Sequence, residues 1–178
     1  MGNRASMQPL SAPTRWTRFA TPEALERLGA RIAQALGTGE AVCLFGALGA
    51  GKSTLARGLV RALLDDPQAE VPSPTFTLAQ GYEGDALAVV HFDLYRLKRP
   101  EEAFELGLDE ALDVGAVVIE WPERLEGDLP HDRLELRLTI DPPPGEPPDE
   151  GGRWVQAGGA GSWTGARVEQ VMSGVTTA

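Results

Sequence analysis

Several residue types are scarce in this chain of 178 residues, and each scarcity excludes a class of protein. Cys43 is the single cysteine, so an internal disulfide framework is excluded. The two histidines, His91 and His131, are too far apart in sequence to have zinc-site spacing. No apolar run approaches the ~20 residues of a membrane span. No secretory h-region opens the chain either, so we expect a cytoplasmic location and no membrane contact.

Positively charged residues are also scarce. The chain has 16 lysine and arginine residues and 26 aspartate and glutamate residues, which gives a formal net charge of −10. The arginines are scattered among acidic residues and form no basic stripe. A protein that binds nucleic acid through the phosphate backbone is expected to show such a stripe. We therefore expect no direct, independent binding to nucleic acid.

The most informative segment of the chain is a complete phosphate-binding loop, Gly46-Ala47-Leu48-Gly49-Ala50-Gly51-Lys52-Ser53. It follows an apolar run typical of a buried strand (residues 41–45) and opens a helical stretch that begins at Thr54, which is the context this motif needs. The glycines let backbone N–H groups surround an anion, and the helix N-terminus adds positive potential. Lys52 is one of only two lysines in the chain, and here a compact ammonium is required. The motif predicts that residues 46–54 bind a nucleotide, with Lys52 on its phosphates and the Ser53 hydroxyl on Mg²⁺.

The length fits one domain, for which we predict an α/β fold of the P-loop NTPase type. We expect a mostly parallel sheet flanked by helices, with an antiparallel hairpin near the C-terminus. Residues 1–18 are assigned to an N-terminal arm, either an added tag or a flexible segment. Residues 19–158 are assigned to the domain, and residues 159–178 to a tail that we expect to be mobile, with one or two helical turns between 166 and 172.

Local patterns predict the main elements of this domain. Thr21 and Pro22 are the N-cap and first residue of a helix that ends before Gly37. A third helix begins at Pro100 and ends at Gly107. A largely apolar pattern predicts a strand over residues 86–92, and a continuous apolar run predicts another over residues 115–119. Alternation over residues 133–140 is typical of a half-exposed antiparallel strand, for which residues 153–157 are the expected hairpin partner.

Two acidic residues end predicted strands and are candidates for chemistry beside the loop. They are Asp93 and Glu120. Ligand sites in open α/β sheets lie at the carboxyl ends of strands, and a phosphate-binding loop needs a second acidic group there. Thr75, between Pro74 and Phe76, is a candidate switch residue or simply a threonine at the start of a strand. His91 alternates with apolar neighbours and is interpreted as a structural histidine.

These motifs together resemble the TsaE (YjeE) family, bacterial ATPases required for the threonylcarbamoyladenosine modification of tRNA. The resemblance covers residues 21–140, in the loop and in the blocks 73–78, 91–97 and 120–123. It implies that Lys52 binds phosphate, that Ser53 and Glu120 hold Mg²⁺, that Asp93 assists hydrolysis and that Thr75 lies in a switch-like loop. Arg153 matches an arginine that the family often carries near the nucleotide.

The same resemblance implies ATP or ADP with Mg²⁺ as ligands and the TsaB–TsaD pair as partner. Contact with tRNA is then indirect, through that pair. The family usually has threonine at the position of Ser53, and the serine keeps the hydroxyl.

Two other functions remain open from the residues alone, and a third is disfavoured. A small-molecule kinase shares the loop, but no arginine cluster is placed like its lid. A GTPase is disfavoured because its guanine-reading motif needs an asparagine, and the only one is Asn3. A nucleotide-gated interaction module, in which slow hydrolysis times partner binding, is the non-catalytic alternative.

Overall fold

The computed structural model describes residues 12–148, 151–175 and 177–178, which form one seven-stranded sheet with helices on both faces. The strands are β1 (Thr17–Phe19), β2 (Ala41–Phe45), β3 (Ala79–Glu83), β4 (Ala88–Asp93), β5 (Ala116–Glu120), β6 (Arg133–Thr139) and β7 (Arg153–Ala160). The helices are α1 (Pro22–Ala35), α2 (Lys52–Leu63), α3 (Glu101–Glu105), α4 (Leu108–Val114) and α5 (Gly165–Ser173), with a 3₁₀ turn at Pro122–Leu125.

The strand order is β1-β7-β6-β2-β5-β4-β3, and its centre is parallel. β6, β2, β5 and β4 run in the same direction, so their carboxyl ends meet at one edge of the sheet. β7, β1 and β3 add to the two sides in the antiparallel sense. The predicted α/β fold with a C-terminal antiparallel hairpin is confirmed, and its antiparallel part is larger than expected because β1 and β3 extend the two edges.

The sheet buries side chains on both faces with period two. Residues Val42, Leu44, Val118 and Leu136 face α1, α2 and α5, whereas Cys43, Val117 and Ile119 face α3, α4 and the 3₁₀ turn. Burial raises the pKa of the Cys43 thiol, in agreement with its interpretation as a small buried hydrophobe.

Helix α1 begins as the sequence predicts, with the Thr21 hydroxyl accepting a hydrogen bond from Ala24 N at 3.2 Å. It packs closely against α2, because Gly29 of α1 faces α2 and Gly58 of α2 faces α1. A Cβ built on Gly29 would lie 2.2 Å from Leu55 O, and one on Gly58 would lie 2.2 Å from Glu26 O. Only glycine permits this separation, which holds the N-terminal part of α2 under the edge where the parallel strands end.

Strand β6 differs from its prediction as a half-exposed antiparallel strand. It pairs in parallel with β2 on one side and antiparallel with β7 on the other. Glu135, which the alternation places on the exposed face, is only 4% exposed, and Arg133 beside it is 7% exposed. Their charges are paired at 2.8 Å, which makes burial of both side chains possible.

The C-terminal segment also differs from the expected mobile tail. β7 continues to Ala160, Trp163 is fully buried, and α5 packs on the sheet and on α1. Arg167 links α5 to the end of α1, because it binds the Glu40 carboxylate and the Ala35 carbonyl. The reason for the difference is that Trp163 and one apolar face of α5 complete the core, which glycine content alone does not reveal.

Part of the expected N-terminal arm belongs to the sheet as well. β1 begins at Thr17, and Thr14 exchanges backbone and side-chain hydrogen bonds with Ala157. The prediction for residues 1–11 lies outside the described residues.

α4 was not predicted, because Gly107, expected to end a helix, also begins the next one with a φ of 90°. Among the described residues, no helix has the length and apolar character to cross a membrane.

Candidate functional site

The glycine-rich loop joins the end of β2 to the start of α2. Gly46, Gly49 and Gly51 have φ angles of 150°, 80° and 104°, in the region that favours glycine. A Cβ on Gly46 would also lie 2.5 Å from Leu138 O. These conformations wrap the loop around the N-terminus of α2, where the helix dipole favours an anion.

Lys52 turns its side chain back into this loop. Its Nζ donates hydrogen bonds to Gly46 O at 2.6 Å and Ala47 O at 3.0 Å, and lies 4.0 Å from the centre of the Trp121 ring. Burial lowers the pKa of the ammonium below its usual value, and the nearby Glu120 carboxylate opposes that shift. The ammonium is therefore held inside the loop by neutral carbonyls, which phosphate oxygens can replace.

Ser53 and Glu120 meet at the edge of the sheet. The Ser53 hydroxyl lies 3.0 Å from each oxygen of the Glu120 carboxylate. On its other side, Glu120 Oε1 lies 2.8 Å from His91 Nε2. Glu120 and His91 are both buried, so this carboxylate is fixed from two directions.

Asp93 is the centre of a second group of hydrogen bonds, at the end of β4. Its Oδ2 accepts from the Ser73 hydroxyl at 2.7 Å and from the Thr75 hydroxyl at 3.2 Å. Its Oδ1 accepts from Tyr95 N at 3.0 Å. Asp93 and Glu120 are register partners in the parallel pair β4–β5, so the two carboxylates lie side by side.

Arg153 lies on the opposite side of the loop. Its Nε donates to Gly49 O at 3.1 Å, and its Nη1 donates to Gly152 O at 2.6 Å. β7 therefore brings one guanidinium to the backbone of the glycine-rich loop, although 104 residues separate Arg153 from Gly49 in sequence.

A cavity of about 330 Å³ lies between these groups. On its polar side it is lined by Lys52, Ser53, Thr54, Ser73, Thr75, Asp93, Glu120 and Arg153, together with Leu48, Gly49 and Gly51 of the loop. Its other side is largely apolar and consists of residues 19–22 and Leu25, with Trp121 at the rim. The volume and the division into a polar and an apolar side fit a small polyanion attached to a planar group.

The structure brings most of the predicted site residues to this one cavity. Three of them, Gly46, Ala47 and Ala50, do not line it. Gly46 and Ala47 supply the carbonyls that hold Lys52, and the Ala50 side chain is buried in the core. The roles expected for all these residues stay predictions.

The family model for "Threonylcarbamoyl adenosine biosynthesis protein TsaE" matches residues 19–143, well over half of the chain. The chain belongs to the TsaE family. The resemblance inferred from the four motif blocks is thereby confirmed.

Two curated TsaE relatives illustrate the similarity. The tRNA threonylcarbamoyladenosine biosynthesis protein TsaE of Streptomyces coelicolor is 40% identical over 145 residues, which cover 75% of this chain and 95% of that protein. The protein of the same name from Rickettsia felis is 37% identical over 118 residues, which cover 66% of this chain and 68% of that protein.

One solved structure has a similar fold. The crystal structure of Bacillus subtilis YdiB superposes with a TM-score of 0.69 and 24% sequence identity, covering 93% of this chain and 95% of that chain. At this identity the likeness extends to the fold alone.

Several residues of the site were not predicted from the sequence. No role was predicted for Ser73, although it lies two residues before Thr75 and both hydroxyls donate to Asp93. His91 was interpreted as structural, although its place two residues before Asp93 puts both on one face of β4. The apolar wall from residues 19–22 had no sequence signal, because β1 reaches the loop only through its pairing with β7.

Proposed function

We propose that this TsaE-family chain is a Mg²⁺-dependent ATPase that supports threonylcarbamoyladenosine formation in tRNA. The observation that carries the proposal is that one cavity joins the glycine-rich loop to Asp93 and Glu120 from neighbouring strand ends. P-loop ATPases combine the same parts, namely a phosphate cradle, a lysine, a hydroxyl and strand-end carboxylates. The names of the curated relatives support the biological role.

Lys52 and the N-terminus of α2 are the proposed phosphate ligands. The ammonium exchanges the carbonyls of Gly46 and Ala47 for phosphate oxygens without leaving the loop. Burial favours this exchange, since a charged partner compensates a buried ammonium better than two neutral carbonyls do. Arg153, which rests on Gly49 O, lies on the side from which it can approach the same phosphates.

Ser53 and Glu120 fit the proposed Mg²⁺ site. Mg²⁺ prefers oxygen ligands and is held in such sites by one or two protein groups plus phosphate oxygens and water. A hydroxyl within 3.0 Å of both oxygens of a buried carboxylate supplies this donor set. The Ser53 hydroxyl would donate its hydrogen bond to Glu120 and keep a lone pair free for the cation. When bound there, Mg²⁺ neutralises the charge of the phosphates.

Asp93 and Thr75 are the proposed groups for hydrolysis. Asp93 is oriented by donors on both of its oxygens, so its remaining lone pairs are fixed in the cavity. A carboxylate held in this way orients an attacking water and accepts a proton from it. Thr75 ties residues 73–78 to Asp93, so a phosphate that attracts the Thr75 hydroxyl rearranges this segment.

The proposed partner is the TsaB–TsaD pair, with tRNA met only through that pair, in the cytoplasm. The net charge of −10 agrees with a protein as the main contact. Energy from hydrolysis would act on that assembly, and this chain would not modify adenosine itself.

Nucleotide binding is tested by thermal shift with ADP and Mg²⁺. A ligand that binds only the folded state at a hundred times its Kd stabilises it by about 2.7 kcal/mol. We expect this shift in the wild type, its loss in Lys52→Ala, and its retention in Lys98→Ala, a matched control at an exposed lysine. An undiminished shift in Lys52→Ala would refute the assignment of the loop.

Catalysis is tested by steady-state ATP hydrolysis. Glu120→Gln and Asp93→Asn should keep much of the ADP affinity and lose turnover, whereas normal turnover in both returns them to structural roles.

We expect slow hydrolysis by the lone chain and stimulation by the TsaB–TsaD pair, with tRNA varied separately. A fast lone enzyme that the pair leaves unchanged contradicts the coupling, and transfer of phosphate to a small-molecule acceptor favours a kinase.

A further inference from the structure

His91 and Glu120 form a buried pair, and the proposed function gives a role to Glu120 but none to His91. His91 is 0% exposed and Glu120 is 2% exposed, and Nε2 of the imidazole lies 2.8 Å from Oε1 of the carboxylate. A carboxylate offers only acceptors, so Nε2 carries the proton of this hydrogen bond. Nδ1 has no hydrogen-bond partner among the residues that the structure describes. The tautomer is therefore set by Glu120.

The register of the sheet produces this pair. In the parallel ladder β4–β5, Asp93 is opposite Glu120 and His91 is opposite Val118. The Glu120 side chain therefore reaches diagonally to a residue one pleat back along β4, on the same face of the sheet. Both strands are central, so neither backbone can shift without breaking a ladder on each side.

The two donors on Glu120 lie in different surroundings. Ser53 lines the cavity and belongs to the first turn of α2, where a bound nucleotide changes its contacts. His91 does not line the cavity and is enclosed by the sheet and its helices. Binding of a cation changes the contacts of the Ser53 hydroxyl but leaves the imidazole of His91 in place. His91 is thus the donor that stays constant.

We propose that His91 is a positioning residue, which holds the Glu120 carboxylate in the orientation that receives Mg²⁺. This rests on the proposed function, because it assigns a role relative to the Ser53–Glu120 site. His91 touches neither the nucleotide nor the cation and acts only through its bond to Glu120. Hydrogen-bond partners behind a metal ligand set its orientation, and their loss typically weakens metal binding about 10- to 100-fold.

The competing interpretation is a histidine that merely fills the core. Under that interpretation the effect of a substitution follows the volume lost and appears in thermal stability. Under ours it follows the loss of the donor to Glu120 and appears in the Mg²⁺ requirement. The amide of glutamine places a donor about where Nε2 lies, whereas the shorter amide of asparagine does not reach Glu120 and leucine has no donor.

The experiment compares the full-length wild type with His91→Gln, His91→Asn and His91→Leu. The Kd of a fluorescent ADP analogue is measured in EDTA and over a Mg²⁺ titration, and the Tm is measured without nucleotide. We expect His91→Asn and His91→Leu to raise the half-saturating Mg²⁺ concentration by about tenfold or more. The Kd in EDTA should stay within about threefold, and His91→Gln should keep a Mg²⁺ requirement close to that of the wild type.

The arms of this experiment separate the two hypotheses. If the wild type binds the analogue equally with and without Mg²⁺, the proposed metal site itself is wrong. If the wild type responds to Mg²⁺ and His91→Asn or His91→Leu responds at the same concentration, the positioning role alone is overturned. His91→Asn keeps a polar side chain, so it decides the question if His91→Leu does not fold. An increase in His91→Gln equal to that in His91→Asn also contradicts the proposal.

Discussion

The Lys52 ammonium lies 4.0 Å from the centre of the Trp121 ring, while its hydrogen bonds go to the carbonyls of Gly46 and Ala47. Trp121 also packs against Tyr95, with ring centroids 4.9 Å apart, and forms part of the cavity wall. A phosphate that draws the ammonium away from those carbonyls changes the contact between the cation and the indole. Trp121 is thus placed to report the state of the loop.

Trp121 fluorescence should therefore change when nucleotide binds. We expect a saturable change in intrinsic emission when ADP and Mg²⁺ are added to the wild type, and none in Trp121→Phe. The other three tryptophans, Trp16, Trp154 and Trp163, do not line the cavity. Calorimetry on Trp121→Phe checks that it still binds. An equal emission change in that variant would show that a different tryptophan responds.

Ser73→Ala should slow ATP hydrolysis more than it weakens nucleotide binding. Its hydroxyl donates the shortest of the hydrogen bonds to Asp93, at 2.7 Å. A bond to a charged group contributes about 1.5–3 kcal/mol, so the loss of alignment should lower kcat roughly tenfold. The ADP Kd should change by less than about threefold, because Ser73 does not belong to the loop.

Ser173→Ala is the matched control for that variant, since Ser173 is exposed at the end of α5 and donates only to Gln170 O at 3.4 Å. Steady-state kinetics on both proteins give the comparison. Equal kcat values in Ser73→Ala and in the control would contradict the role given to the Ser73–Asp93 bond.

Glu40→Gln should destabilise the protein at neutral pH and less so in acid. Burial raises the pKa of Glu40, but hydrogen bonds from Arg167, Ser162 and Gly37 N outweigh it, so the pKa lies below its usual value of 4.5. A carboxyl whose pKa is lowered by folding stabilises the folded state above the pKa of the unfolded chain. That contribution disappears as the pH falls through the folded-state value.

Urea unfolding as a function of pH measures this effect. At pH 7 we expect Glu40→Gln to lose about 2 kcal/mol of unfolding free energy, and the difference from the wild type to shrink below a pH of about 4.5. Glu102→Gln is the control, because Glu102 is partly exposed and forms only a long ion pair with Arg99, at 3.8 Å. A difference that stays constant with pH would mean that the Glu40 charge is not responsible.

Gly29→Ala should destabilise the protein although alanine is the better helix former. Its Cβ would lie 2.2 Å from Leu55 O and 2.7 Å from Leu59 N, so α1 and α2 must separate. We expect a loss of about 2–3 kcal/mol in urea unfolding. Gly81→Ala, where a Cβ meets nothing within 4 Å, should change stability by less than about 1 kcal/mol. A neutral or stabilised Gly29→Ala would show that the helix crossing is not tight.

The chemistry of the loop was readable from the sequence because its cause is local. Residues 46–53 need particular φ angles and a lysine at one position, and neither requirement depends on the rest of the chain. The start of α1 at Thr21 and the apolar strand β2 were predictable for the same reason. Asp93 and Glu120 were found because parallel strands in such a fold end at one edge.

Other features depend on partners that are distant in sequence, so no local pattern contains them. The exposure predicted for β6 was wrong. Its alternating sequence is typical of a half-exposed strand, but in the fold Arg133 and Glu135 are buried as an ion pair and β7 pairs with its free edge. The segment after Gly158 has the composition of a mobile tail, and only the burial of Trp163 against the sheet makes it part of the core.

The same division holds within the site. The sequence by itself determined which groups can bind phosphate and a cation, because their chemistry resides in single side chains and in the local loop. The tertiary structure decided which groups act together, since the Glu120–His91 bond, the Ser73–Asp93 bond and the contact of Arg153 with Gly49 each join separate elements. The physical reason is that sheet register and helix packing set distances between remote residues, and these exist only after the chain has folded.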